Sequence, residues 1–184
     1  CMKMEIPVKQ LSAISLLIAT AAAVRVGMNW VALAMIPFYG VVIKIGLSET
    51  LAFTSGFVFG PIQGFITGAL IIIISDLFTW AGPWTPFIAA IIGLLGVCGG
   101  VLRHFKGNPS VALLAITAVT LTLMSEILQN IWFAWFFNMP IIAVLIMGVH
   151  SIVMAVINNT VLFTVVAPRI IKVLQEWVMP KSVN

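Results

Sequence analysis

Long apolar runs separated by short breaks dominate the chain. A run of roughly 20 apolar residues is enough to cross a bilayer as a helix. The pattern predicts six such spans. They run from about Val8 to Met28, Val41 to Phe59, Pro61 to Trp80, Trp84 to Leu102, Ser110 to Phe137, and Pro140 to Ala167. The stretch from Lys172 to Asn184 reads as a short polar tail that continues the last helix. The expected fold is an all-α integral membrane protein, a bundle of six transmembrane helices, with residues 1–184 forming one membrane-embedded domain.

Glycine and proline place the breaks. In SGFVFGPIQGFITG, Gly60-Pro61 should end one span and start the next. Proline disfavours helix at the residue before it and fits the first turn of a helix. Gly64 and Gly68 follow at four-residue spacing, which gives the new helix a small face for close packing. Gly82-Pro83 and Asn138-Met139-Pro140 mark two further hairpins.

Composition agrees with a membrane chain. Of 184 residues, 62% are hydrophobic and 8% charged, whereas soluble domains are about one quarter charged. Net charge is +4, but the few basic residues lie at the ends of apolar runs and form no nucleic-acid patch. Their distribution sets orientation. With the N-terminus inside, Lys3, Lys9, Arg103, Lys106, Arg169, Lys172 and Lys181 are cytoplasmic, and only Arg25 and Lys44 are outside. Both termini are therefore expected in the cytoplasm. Cys1 and Cys98 form no CxxC pair. The first apolar segment is long and lacks a small-residue cleavage site, so no cleavable leader is expected.

Ionisable groups inside a bilayer are costly, and each calls for a reason. Glu126 sits mid-span in LMSEILQNIWFAWFF, with Gln129 and Asn130 on the same helical face. Glu126 lies 13 residues before Met139 and His150 lies 11 after it. At about 1.5 Å per residue, both are roughly 15–20 Å from the outer end of the hairpin. Two readings follow. Glu126 and His150 hydrogen-bond and hold two helices together, or Glu126, Gln129, Asn130 and His150 line a polar pocket with Trp132 and Trp135 nearby. Gln129 and Asn130 add donors and acceptors that one histidine cannot satisfy, which favours the pocket. Asn158 shares a face with His150 and Met154.

Near the outer ends of their spans, Arg25 and Asp76 are placed to form an ion pair. Lys44 and Glu49 bracket the second span, either snorkelling to the interface or facing the pocket mouth. Trp30, Trp80 and Trp84 fit an aromatic belt or a stacking surface for a flat ligand. Ser15, Ala19 and Ala23 form a small-residue stripe on the first span, suited to close approach by another helix, internal or foreign.

The stretch KIGLSETLAFTSGFVFGPIQGFITGALIIIISDLF resembles the substrate-binding S components of energy-coupling factor (ECF) vitamin transporters. The resemblance rests on Lys44, Ser48 and Glu49 at the entry of the second helix, then Gly56-Phe57-Val58-Phe59-Gly60-Pro61 with Gly64. Gly46 stands where riboflavin-type members usually carry an acid. The resemblance implies high-affinity binding and uptake of a vitamin-like small molecule (thiamine-, riboflavin- or pteridine-like) at the prokaryotic cell membrane. It implies an outward pocket built from the later helices, with substrate-binding residues drawn from Glu126, Gln129, Asn130, Trp132, Trp135, His150, Asn158 and Lys44. The loop from Asn29 to Gly40, with Trp30 and Tyr39, would act as a lid. Ser15, Ala19 and Ala23 would contact a transmembrane coupling subunit, and two cytoplasmic ATPases would supply energy. The chain has no GxxxxGK[ST] phosphate loop of its own.

Two other classes stand beside this one. A self-sufficient small transporter or channel would ordinarily show repeated halves or pore-lining charge rings, and the sequence has neither. An intramembrane enzyme would use Glu126 and His150 as acid and base, but HExxH, GxSxG and a second carboxylate beside Glu126 are all missing. The expectation is a binding protein, not an enzyme, with no cofactor or metal, no nucleic-acid partner, and the lipid bilayer as its surroundings.

Overall fold

Glycine and proline set the element boundaries as the sequence predicts. A computed structural model describes residues 7–39, 46–107 and 109–178, and of residues 32–39 the backbone alone. Seven α-helices and one π turn follow in order: α1 (Val8–Tyr39), α2 (Leu47–Phe59), α3 (Pro61–Phe78), α4 (Trp84–Phe105), α5 (Val111–Phe136), α6 (Ile141–Val161), the π turn Leu162–Val166, and α7 (Ala167–Val178). No strand occurs among the described residues. Gly60 joins α2 to α3 with φ of 114°, a conformation that glycine adopts without steric cost. Pro61 then opens α3. At the hairpin between α5 and α6, Asn138 takes a positive φ of 51°.

Among the described residues, five helical stretches are long and apolar enough to cross a membrane: Val8–Val31, Pro61–Phe78, Trp84–Phe105, Val111–Phe136 and Ile141–Val178. The chain is thus all-helical and multi-pass in character. The second expected span, Val41–Phe59, corresponds to α2, which has 13 residues. At about 1.5 Å per residue α2 is roughly 20 Å long, short of a hydrocarbon core of about 30 Å. It is buried along nearly its whole length, from Ser48 and Thr50 to Phe59. Its threonines return their hydroxyls to the preceding turn, Thr50 to the Gly46 carbonyl and Thr54 to the Thr50 carbonyl. Its carboxyl end is met by Arg103 of α4, whose guanidinium donates to the carbonyls of Phe57 (3.3 Å) and Val58. A cation there satisfies orphan carbonyls and complements the negative end of the helix dipole.

The helices α2, α3 and α4 form a tightly packed body. A Cβ on Gly64 would overlap the Gly96 carbonyl and the Gly56 Cα, and a Cβ on Gly96 would overlap the Gly64 backbone. Small residues let the three backbones touch, which is how helices associate where lipid offers no hydrophobic drive. The expected role of Gly64 and Gly68 is observed, with Gly68 against the Ile92 carbonyl. Inside this body Ser55 and Thr67 share a 2.7 Å hydrogen bond.

On the other side, α5 and α6 form an antiparallel hairpin. It joins the first body mainly through the π turn and α7, which pack on α2. There the rings of Phe163 and Phe53 meet at a tilt, with centroids 4.9 Å apart. The π turn has a local cause in Pro168. A proline lacks an N–H and crowds the carbonyl four residues back, here Thr164. One widened turn absorbs this, and the Ala167 N–H bonds to the Leu162 carbonyl five residues back. At the opposite end of the bundle, α4 approaches α5 at few points, and α4 shares no packing contact with α6 among the described residues. The two bodies are joined at the end carrying Arg103 and α7 and part toward the hairpin turn at Asn138.

Candidate functional site

The gap between α4 and the α5–α6 hairpin holds a cavity of about 420 Å³. Three helices build it. Trp84, Phe87 and Ile88 come from the first turns of α4. Glu126, Gln129, Asn130, Trp132 and Phe133 come from α5. Phe137 closes from the turn, and Gly148 and Ser151 come from α6. The size falls in the range of about 300–1,000 Å³ common for small-molecule sites, and the mix of aromatic walls with a few polar groups is also typical.

Glu126 is 4% exposed and stands at the inner end of this lining. Its backbone carbonyl accepts a 2.7 Å hydrogen bond from the Asn130 Nδ2 one turn on. That bond fixes the Asn130 amide, so its Oδ1 lies toward Gly148. A Cβ on Gly148 would sit 2.7 Å from that oxygen, so glycine there makes room for Asn130. Trp132 stacks on Phe87 of α4 (centroids 5.4 Å apart) and on Phe136 (4.9 Å). This ring stack spans the gap between the two bodies and sets the width of the cavity.

One helical turn deeper on α5, Thr122 accepts a 2.8 Å hydrogen bond from the Nδ2 of Asn159. Asn159 is 1% exposed, and its Oδ1 has no hydrogen-bond partner. Gly148, Ser151, Ala155 and Asn159 lie along the face of α6 turned to α5. A separate cluster braces the rim. Arg25 pairs with Asp76 at 3.2 Å, as the sequence anticipates, and its Nε donates to the Ser75 hydroxyl at 2.9 Å. The Thr85 hydroxyl donates to the other Asp76 oxygen at 2.7 Å. This ties α1, α3 and the start of α4 together beside Trp84.

Of the sequence-derived site residues, Glu126, Gln129, Asn130 and Trp132 come together in the cavity. His150 and Trp135 are exposed and outside its lining, and Asn158 lies half-buried, two turns further along α6. Inward positions of α6 fall one residue later, at Ser151 and Asn159. Trp30 is exposed and borders a shallow recess with Asn29, Thr79 and Trp80, apart from the cavity. The expected lid loop is corrected. Backbone from Asn29 to Tyr39 is the continuation of α1, a helix of 32 residues that runs on through Pro37. The side chain of Tyr39, and Lys44 entirely, lie outside the described residues. Ser15, Ala19 and Ala23 are all exposed on α1, on the face opposite the buried Ala13, Leu17 and Ala21.

Trp84, one of the three tryptophans offered as a stacking surface, lies in the cavity wall, whereas sequence reasoning missed Phe87, Phe133, Phe137, Gly148 and Ser151. The pair Gly148 and Ser151, small residues three apart in an otherwise bulky apolar helix, was the available signal for a cavity-facing edge. No protein-family model matches the chain, and neither does any curated protein or solved structure.

Proposed function

We propose that this chain is the substrate-binding subunit of an ATP-driven importer for a vitamin or related micronutrient, of the ECF S-component kind. In this reading the basic end, with Arg103, Lys106, Arg169 and Lys172, faces the cytoplasm, and the cavity faces the exterior of a prokaryotic cell. A transmembrane coupling subunit docks along the exposed Ser15–Ala19–Ala23 face of α1, and two cytoplasmic ATPases drive release. The single observation that carries the reading is the cavity itself. Four polar or aromatic residues picked out by their intramembrane chemistry line one space of ligand size, in a bundle joined at its other end.

The mechanism follows from that arrangement. Ligand enters between α4 and the hairpin of α5 and α6. Its polar edge bonds to Glu126, Gln129, Asn130 and Ser151, and its ring rests among Trp84, Phe87 and Trp132. Drawing α4 against α5 expels water, and hydrogen bonds without competing water are stronger. Native mass spectrometry of the protein purified from its expressing cells tests the reading. A retained small molecule, bound one to one and released from Trp132→Ala protein, is expected. Wild-type protein that never retains or takes up any small metabolite would contradict it.

A further inference from the structure

Beyond the π turn, α7 parts from α5. The π turn itself lies against α5, but α7 makes no close backbone approach to α4 or α5 among the described residues. The wedge between them holds a recess of about 240 Å³, at the end of the bundle opposite the Asn138 turn. Leu114, Pro168 and Ile171 give it an apolar floor. At its mouth the α4–α5 turn, at Gly107 and Pro109, stands against Lys172 and Gln175 of α7. That turn joins two helices long and apolar enough to cross a membrane, so the mouth lies at the headgroup level of the bilayer. Lys172 is exposed and pairs with no acid among the described residues, Glu176 one turn further along α7 included. Lys106 and Arg169, each next in sequence to a residue of the lining, add charge of the same sign. Exposed valines flank the floor, Val111 three residues before Leu114 and Val165 three before Pro168.

We propose that this recess binds one anionic phospholipid. Its phosphate lies on Lys172 and the Gln175 amide, and its glycerol and upper acyl carbons cover Leu114, Pro168 and Ile171. Basic recesses at this depth suit anionic headgroups, and lysine reaches the interface on a flexible apolar stem. The apolar floor selects lipid over a free phosphate, which would meet Lys172 but leave the floor bare. The cation selects an anionic lipid over a zwitterionic one, whose own ammonium group Lys172 repels. A lipid there braces α7 against the α4–α5 turn. The site lies apart from the cavity described above and is independent of what that cavity binds.

Native mass spectrometry of the purified protein tests this, with phosphatidylglycerol and phosphatidylcholine of identical acyl chains offered in equal amounts. One phosphatidylglycerol is expected to bind at least about fivefold more tightly than phosphatidylcholine, the preference that one interfacial lysine supplies. Lys172→Gln should remove that preference, whereas Arg169→Gln, outside the lining, should leave most of it. Excess inorganic phosphate should not displace the lipid. Equal binding of the two lipids by the wild-type protein overturns the proposal without any variant. Equal losses in folded Lys172→Gln and Arg169→Gln proteins also overturn it, because they mark diffuse attraction to a basic end rather than a site. Displacement by inorganic phosphate overturns the lipid assignment, since it shows an anion site in which the apolar floor takes no part.

Discussion

The carboxamide of Asn159 occupies the space that a side chain on Gly46 would need. Gly46 is the residue from which α2 starts, and Asn159 reaches it from α6 while holding Thr122 of α5. One asparagine thus joins the buried start of α2 to both helices of the hairpin. Any substituent at position 46 displaces it.

Gly46→Ala should therefore destabilise the protein, by about 1–3 kcal/mol, the usual range for forcing an extra carbon into a packed site. Asn159→Ala should cost a similar amount by leaving the Thr122 hydroxyl unpaired. The two effects should not add. With Asn159 shortened, a methyl group at position 46 has space, so the double variant should be little worse than Asn159→Ala alone. Thermal unfolding in detergent, read by circular dichroism, measures all three.

Gly96→Ala should be more damaging than Gly27→Ala. A Cβ on Gly96 meets the Gly64 backbone, whereas one on Gly27 meets nothing within 4 Å. Backbone cannot swing aside as a side chain can, so separation of α3 from α4 is the only relief. A drop in melting temperature for Gly96→Ala, with none for Gly27→Ala, is the expected result.

Asp76→Ala should loosen the rim of the cavity. It removes the partner of Arg25 and of the Thr85 hydroxyl together. Hydrogen bonds to charged groups are worth about 1.5–3 kcal/mol each, and the partly exposed Arg25 places this pair toward the lower end. Arg25→Ala should cost less, because Thr85 still holds Asp76. Because Thr85 adjoins Trp84, hydrogen exchange at the first turn of α4 should quicken more in Asp76→Ala than in Arg25→Ala.

Helix boundaries were legible in the sequence, and helix faces were not. Gly60-Pro61, Gly82-Pro83 and Asn138 act on the backbone locally, so their effect is independent of what packs around them. From Asn29 to Tyr39 the local signal pointed the other way, because α1 continues through Pro37, a residue that ordinarily ends or kinks a helix. Faces differ because lipid tails are as apolar as a protein core, so a membrane helix needs no polar side to mark its outside. On α6 the sequence reading turned His150 inward, whereas Ser151 lines the cavity and His150 is exposed. Only the approach of Gly148 to Asn130, a tertiary contact, decides between the two registers. On α5 the cluster of Glu126, Gln129 and Asn130 was itself polar enough to declare the inner face. The short, buried character of α2 was hidden for the same reason, since an apolar run reads alike whether it meets lipid or protein.

The most direct measurement is the dissociation constant of the retained small molecule for three proteins: wild type, Ser151→Phe and Trp135→Ala. Phenylalanine at position 151 fills part of the cavity between α4, α5 and α6, while Trp135 is 77% exposed and lies outside it. The account predicts that Ser151→Phe weakens binding by about a hundredfold or more, roughly 2.8 kcal/mol, and that Trp135→Ala leaves it unchanged. Undiminished binding by folded Ser151→Phe protein, or a loss confined to Trp135→Ala, would place the ligand somewhere other than this cavity and contradict the account.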